Sequence, residues 1–262
     1  WDGAFNISGA TASEMIYTKQ YPCYSCPIGC AHKAYVSEGE YAFEGEVEAP
    51  EYETIVSFGS LILNDNLKSI VRANTLCNDY GIDTISGGGT IAFVYYLYNT
   101  EKITSGDIDG LEPNWGEIEP AIEMIKKITF REGIGDVLAN GSDAVGKKFG
   151  ISQDEIATTI GQEVPYHDPR HTWGMALAYS VGTTRGPCHC ACDMYMVLLG
   201  LPFQDLGIEL IDRYSDDEIM AKNCANLYDY RALYNSLVLC IFCNPPPNMV
   251  AKVIETATGL DF

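Results

Sequence analysis

A mainly α-helical fold is predicted by three observations: apolar residues recur at three- and four-residue spacing over long stretches, helix stops follow those stretches, and breaker-rich loops separate them. The stretch from Asn66 to Tyr80 sets Leu67, Ile70, Val71, Asn74, Leu76 and Cys77 near helical spacing and ends at Gly81. A second run, Asp216 to Leu239, ends at LCIFCNPPPN, where three prolines forbid continuation.

The remaining elements follow in order. AYVSEGEYAFEGEVEAPEYE alternates apolar and acidic residues with glycine breaks and reads as a short hairpin or an irregular excursion. TIAFVYYLYNT suits a buried helix or a strand, because aromatic and β-branched residues support both. Residues 101–116 form a polar loop. Glu117–Thr129 and Ile134–Phe149 are expected to be two amphipathic helices separated by the REGIG turn, and Ser152–Ile160 another helix. PYHDPRHTWG is a loop, Trp173–Val181 a short apolar element, GTTRGPCHCACD a second loop, and Met249–Thr258 a last amphipathic stretch.

With 262 residues, of which 47% are hydrophobic, the chain can bury one or two cores without disulfides. A net charge of −20 and a pI near 4.4 disfavour nucleic acid as a partner, since phosphate binding relies on Lys and Arg. No window approaches a membrane span, and WDGAFNISGA lacks a secretory pattern. Ten unevenly spaced cysteines suit a reducing compartment and bound metal, so the cytoplasm is the expected location. The chain opens at Trp1 without an initiating Met, which suggests a fragment of a longer polypeptide.

Cys23, Cys26 and Cys30 lie within the run YPCYSCPIGC. A C-x2-C-x3-C loop can wrap one face of a four-iron cluster with three thiolates, leaving the fourth to come from elsewhere. Structural zinc sites draw on paired C-x2-C units, so the three-residue gap favours a cluster over zinc. Disulfide and thioredoxin-like readings are weaker, for want of a secreted scaffold or the expected strand and helix context. The 188–192 run CHCAC invites a metal of its own. Strand-like alternation would throw its thiols to opposite sides, however, so a structural role is preferred.

Taken in order, YPCYSCPIGC, APEYET, NDYGIDTIS, DPR, TTRGPCH and NSLVLC resemble motifs of the tungsten-dependent aldehyde:ferredoxin oxidoreductase family over nearly the whole chain. The resemblance implies a mainly α fold, two packed helical domains of the C-terminal type with a small irregular or hairpin insertion. The first, residues 1–160, would carry the three-cysteine loop and the first pterin motif, and the second, 161–262, would be truncated and carry the fourth cysteine. A β-rich pterin-binding N-terminal domain would be missing. It implies a 4Fe-4S cluster on Cys23, Cys26, Cys30 and Cys240, with Cys243 a rival for the last place. A tungsten or molybdenum bis-pyranopterin would be bound by Asn78, Gly81, Ile82, Asp83 and Thr84, and by Asn235 and Leu239. Glu53 would be the carboxylate beside the metal and His189 the proton-moving imidazole. Asp168, Pro169 and Arg170 would shape the nearby loop, and Pro169 disfavours a metal pair of His167 with His171.

Some positions depart from the pattern. Asn78 stands for an acidic residue, Asn235 and Val238 stand for Asp and Gly, Ala191 stands for a basic residue, and Arg72 replaces a Glu that holds an interface metal in some relatives, so no bridging ion is expected. The implied activity is oxidation of an aldehyde, a small-molecule carbonyl, to a carboxylate with ferredoxin or another electron-transfer protein as acceptor. The alternatives are an aryl-thioester reductase subunit of the same superfamily and a cluster-only electron-transfer or scaffold domain.

Overall fold

The computed structural model describes residues 1–182, 187–200 and 203–260, the side chain of Leu198 excepted. The chain is mainly α-helical and divides into two compact units, Trp1–Tyr166 and His167–Phe262. Among the described residues no helix is long and apolar enough to cross a membrane.

After a 3-10 helix over Asp2–Ile7, the first unit has α1 (Gly9–Met15) and a three-stranded antiparallel sheet of β1 (Tyr17–Tyr21), β2 (Ala31–Ala34) and β3 (Val47–Glu48) in that order. Register pairs Tyr21 with Ala31 and Lys33 with Glu48. The stretch after the cysteine loop is therefore both hairpin and excursion: β2 and β3 pair briefly, and irregular chain joins them. Helices follow as α2 (Tyr52–Phe58), α3 (Leu67–Tyr80), α4 (Thr84–Asn99), α5 (Glu119–Phe130), α6 (Gly135–Leu138) and α7 (Ser142–Phe149).

Local chemistry sets these ends. The Asn66 side chain accepts the Lys68 and Ser69 amides to start α3, and Gly81 at φ 71° ends it, with the Ile82 amide donating to the Cys77 carbonyl at 2.8 Å. Asp83 caps α4 by accepting the Ser86 amide at 2.7 Å. The stretch TIAFVYYLYNT is helical. Ile91, Ala92, Phe93, Val94, Tyr95 and Leu97 are all buried, so apolar residues surround this part of α4 and no 3.6-residue stripe marks it. The core packs these side chains with Phe58, Ile62, Ile70, Val71, Met124 and Ile125. Helix α4 also approaches α2 closely, since a Cβ at Gly88 would lie 2.4 Å from Ser57 Cβ.

Two expected helices differ. Ile134–Phe149 is two helices, because Gly141 at φ 84° breaks the run and the buried Glu163 carboxylate accepts the Ser142 amide at 2.7 Å, giving α7 an N-terminus of its own. Ser152–Ile160 is a single 3-10 turn followed by β4 (Thr158–Thr159), which pairs with β5 (Gln162–Glu163). Ile160 at φ 54° and Gly161 at φ 75° make the two-residue hairpin turn.

The second unit holds α8 (Trp173–Ser180), α9 (Met194–Leu198), α10 (Glu218–Leu237) and α11 (Pro247–Thr258). Tyr230, Tyr234 and Val250 form a small core flanked by Phe203, Leu206, Leu239 and Ile254. Arg231 and Asp193, both buried, pair through two 2.7 Å hydrogen bonds, and Arg231 also lies 4.6 Å from the Tyr234 ring centre. Removing either partner of such a buried pair would leave an uncompensated buried charge.

Two measurements test this account. Gly88→Ala forces α4 away from Ser57 and should lower stability by about 1–3 kcal/mol in urea unfolding; an unchanged midpoint would show that the helices have room to separate. Asp109 accepts the Ile134 amide at 2.8 Å and the Lys127 ammonium at 3.0 Å, the amide first among the causes that hold its carboxyl below the usual range. Its contribution is present above about pH 4 and disappears as pH falls through the depressed native value. Asp109→Asn should therefore be less stable than wild type at pH 7, with the difference closing in acid.

Candidate redox and proton-transfer site

The cysteine run Cys23–Cys30 is the connection between β1 and β2, closed by the Tyr21 and Ala31 pair. Within it the Cys26 amide donates to the Cys23 carbonyl at 3.0 Å, and Ser25 and Gly29 both hold positive φ, 57° and 60°. The Ile28 amide points at Cys26 Sγ at 3.4 Å, the kind of N–H to sulfur contact that tunes cluster potentials. Cys23 and Cys30 are exposed and Cys26 is half-buried. The strands are braced next to the loop: the Tyr21 hydroxyl donates to Glu48, and Lys33 Nζ sits 4.6 Å above the Tyr21 ring. Three soft sulfur donors on a short, conformationally specified loop fit an iron-sulfur cluster by donor type.

Glu53 stands in the first turn of α2 and is buried. Its Oε2 accepts the backbone amide of Tyr166 at 2.7 Å, which fixes the carboxylate's orientation. Tyr166 is itself anchored, its hydroxyl donating to the Ile85 carbonyl at 2.6 Å and its carbonyl accepting from the Tyr52 hydroxyl at 3.1 Å. Burial pushes the Tyr166 phenol well above its ordinary range, so it stays protonated. Thr54 on α2 and Thr84 on α4 share a 2.8 Å hydroxyl contact, and Ser57 Oγ lies 2.8 Å from the Thr84 carbonyl oxygen. The start of α4 is thus fastened to the helix that bears Glu53.

Of the residues in the first pterin motif, Gly81 and Asp83 serve as helix caps, Ile82 packs partly into the core and Thr84 is tied to Thr54. Asn78, Gly81 and Asp83 are exposed, and nothing lies within 4 Å of a Cβ placed at Gly81. An open glycine backbone beside a carboxylate can admit a flat heterocycle rich in hydrogen-bonding groups, and the residues fit a pterin in that sense.

In the second unit His189 is half-buried and stacks on His167 with ring centres 4.8 Å apart, and His167 stacks in turn on Tyr195 at 4.5 Å. The Tyr179 hydroxyl donates to the His167 carbonyl at 3.2 Å. His171 engages Arg213 instead, at 2.6 Å. Arg170 forms a fork on Asp168, with Nη2 to Oδ2 at 2.6 Å, in an exposed turn. Residues 183–186 of TTRGPCH lie outside the described residues.

NSLVLC ends α10 as NDYGID ends α3. Val238 occupies the left-handed position at φ 58°, its amide donating to the Asn235 carbonyl and the Leu239 amide to the Tyr234 carbonyl. Asn235 and Cys240 are exposed and Leu239 is half-buried. The Cys243 amide donates to the Cys240 carbonyl, so both cysteines belong to one turn. The CHCAC run is corrected: Cys188 and Cys190 lie in turns and not in a strand, while Cys192 is buried against Cys224 of α10. Cys77 is core, and burial pushes its thiol up to about 12.

A family model described as aldehyde ferredoxin oxidoreductase, domains 2 and 3, matches residues 1–262. The chain belongs to the aldehyde ferredoxin oxidoreductase family. It is 35% identical over 244 residues to the tungsten-containing aldehyde ferredoxin oxidoreductase of Pyrococcus furiosus, covering 91% of this chain and 38% of that protein. The Thermococcus kodakarensis protein of the same name is 32% identical over 247 residues, covering 92% and 38%. A Pyrococcus furiosus protein named aliphatic sulfonate oxidoreductase, WOR-like subunit, is 31% identical over 250 residues, covering 92% and 35%. The chain thus spans about two fifths of the length of the tungsten-containing relatives. Among solved structures, the active site complex BamBC of benzoyl coenzyme A reductase shares the fold with a TM-score of 0.51 at 20% identity, over 69% of this chain and 27% of that one.

Thr54 and Tyr166 beside Glu53, and Tyr195 in the stack with His167, are neighbours of the candidate residues that sequence reasoning does not single out, and His167 enters it only as a disfavoured metal partner of His171. The Tyr166 contribution is a backbone amide, which no side-chain motif encodes, and Tyr195 sits outside any signature.

Val238 gives a direct test. A β-branched residue at positive φ is strained, and its side chain is 92% exposed, so little packing offsets the strain. Val238→Gly should raise stability by about 1 kcal/mol, read from the urea midpoint; a loss of stability would mean that the valine makes contacts that outweigh its backbone cost.

Proposed function

We propose that this chain forms the C-terminal helical domains of a tungsten- or molybdenum-pterin oxidoreductase that oxidises aldehydes to carboxylates and passes electrons to ferredoxin. The family match along residues 1–262 is the observation that carries this reading. When bound, the metal pterin supplies a two-electron acceptor and the cluster a one-electron outlet.

The residues divide the remaining work. Cys23, Cys26 and Cys30 are the thiolates offered to the cluster, and Cys240 is the fourth donor that the family motif nominates. Asn78, Gly81, Ile82, Asp83 and Thr84 form one pterin-facing turn, and Asn235 and Leu239 belong to the other. Oxidation of an aldehyde adds one water oxygen, releases two electrons and sheds protons. A Glu53 carboxylate oxygen takes a proton from the attacking water while the Tyr166 amide keeps the group from swinging away. A ring nitrogen of His189 carries a proton as the carbonyl is attacked, and the stack with His167 holds the imidazole in place.

The test uses the full-length protein, expressed natively and purified without oxygen. Metal analysis should find iron together with tungsten or molybdenum, and aldehydes should reduce a viologen dye. Glu53→Gln should lower kcat by about 100-fold, the usual scale for losing an acid-base group, while iron content and the cluster's paramagnetic signal stay intact. Cys26→Ser should instead remove iron. Iron without tungsten or molybdenum, or turnover of an aryl thioester with no response to aldehydes, would overturn the proposal.

A further inference from the structure

The cysteines of CHCAC have no part in the proposed chemistry, and Cys224 lies mid-helix with no motif around it. The fold of the second unit nevertheless sets Cys192 Sγ 3.5 Å from Cys224 Sγ and at the same distance from the Cys224 carbonyl oxygen. Cys192 is 0% exposed and Cys224 2%. Directly after Cys192, Asp193 grips Arg231, which lies two helical turns along α10 from Cys224. Two adjacent loop residues are therefore clamped to one helix face, one by an ion pair and one by a thiol contact. A disulfide needs its sulfurs about 2.05 Å apart, so an approach of roughly 1.5 Å closes the bond.

The geometry points to Cys192 and Cys224 as a modification site at which a hydroperoxide forms a disulfide, tying the loop that carries His189 to α10. Either thiol can donate across the Sγ–Sγ contact, and donation from Cys192 lowers the Cys224 thiol while raising that of Cys192, which favours thiolate on Cys224. The Cys224 thiolate attacks one peroxide oxygen, the O–O bond breaks, and one water leaves after taking up a proton, which leaves a sulfenic acid on Cys224. Cys192 Sγ then attacks that sulfur, the S–O bond breaks, and hydroxide leaves as a second water with the Cys192 proton. Two thiols lose two electrons and one hydrogen peroxide gains them. Burial means that the oxidant enters when the 187–193 loop opens locally, so the reaction is slower than at exposed thiols but ends in a specific pair. The site does not depend on the metal-pterin reading.

Peptide mapping after anaerobic exposure of the full chain to hydrogen peroxide tests it, with remaining thiols alkylated before digestion. The expected product is a cross-linked peptide pair joining Cys192 to Cys224 that dithiothreitol separates. Amide exchange over residues 187–193 should slow by at least about tenfold on oxidation and recover on reduction. Cys192→Ala and Cys224→Ala should each abolish the cross-link, and the wild-type map stands by itself if either variant fails to fold. Peroxide that leaves both thiols fully alkylatable, drives them to sulfinic acid, or joins either to Cys188 or Cys190 would overturn the assignment.

Discussion

The approach of α4 to α2 is the constraint on which the first unit's chemistry rests. Because Gly88 lacks a side chain, the two helices come close enough for Thr54 to meet Thr84 and for Ser57 to reach the Thr84 carbonyl. That contact positions the turn Gly81–Asp83, which begins α4, and the first turn of α2, which bears Glu53. Tyr166, whose hydroxyl holds the Ile85 carbonyl and whose amide holds Glu53, spans the same two helices. The Glu53 carboxylate is thus oriented by a backbone amide, and the amide by a side chain packed into the helix junction.

Both turns matched to pterin motifs are helix C-termini closed in the same way. In each, the residue after the helix is left-handed and the following amide returns to a carbonyl in the last turn, Ile82 to Cys77 and Leu239 to Tyr234. The capping geometry is therefore shared although the residues differ, with Gly81 in one turn and Val238 in the other. A conformation that glycine adopts without strain is thus held by valine in the second turn through the same backbone hydrogen bonds, with little side-chain packing to offset the cost.

Periodicity and stops located α3, α5 and α11 because each presents one apolar face and has a readable cap or break nearby, while α10 is marked chiefly by its length and by the prolines that follow it. The composition of α4 conceals its period, since apolar side chains surround its second half. The break between α6 and α7 was also hidden: it depends on Glu163, distant in sequence, accepting the Ser142 amide. Strand β1, as YTKQY, carries polar residues at mostly exposed positions and gives no signal without its partner β2. Among candidate site residues, those whose side chain lies within a motif, such as Glu53, could be nominated from the sequence. The His167 and Tyr195 stack could not, because ring stacking is a property of the folded loop and leaves no spacing rule behind.

The cysteine run joins two strands that neighbour each other in sequence, and its closure needs only contacts between residues a few positions apart. Hairpins of this kind assemble in microseconds, ahead of helix packing that waits on distant segments. During biosynthesis, the three sulfurs of this turn can accordingly be gathered by local contacts while the rest of the polypeptide is still being ordered.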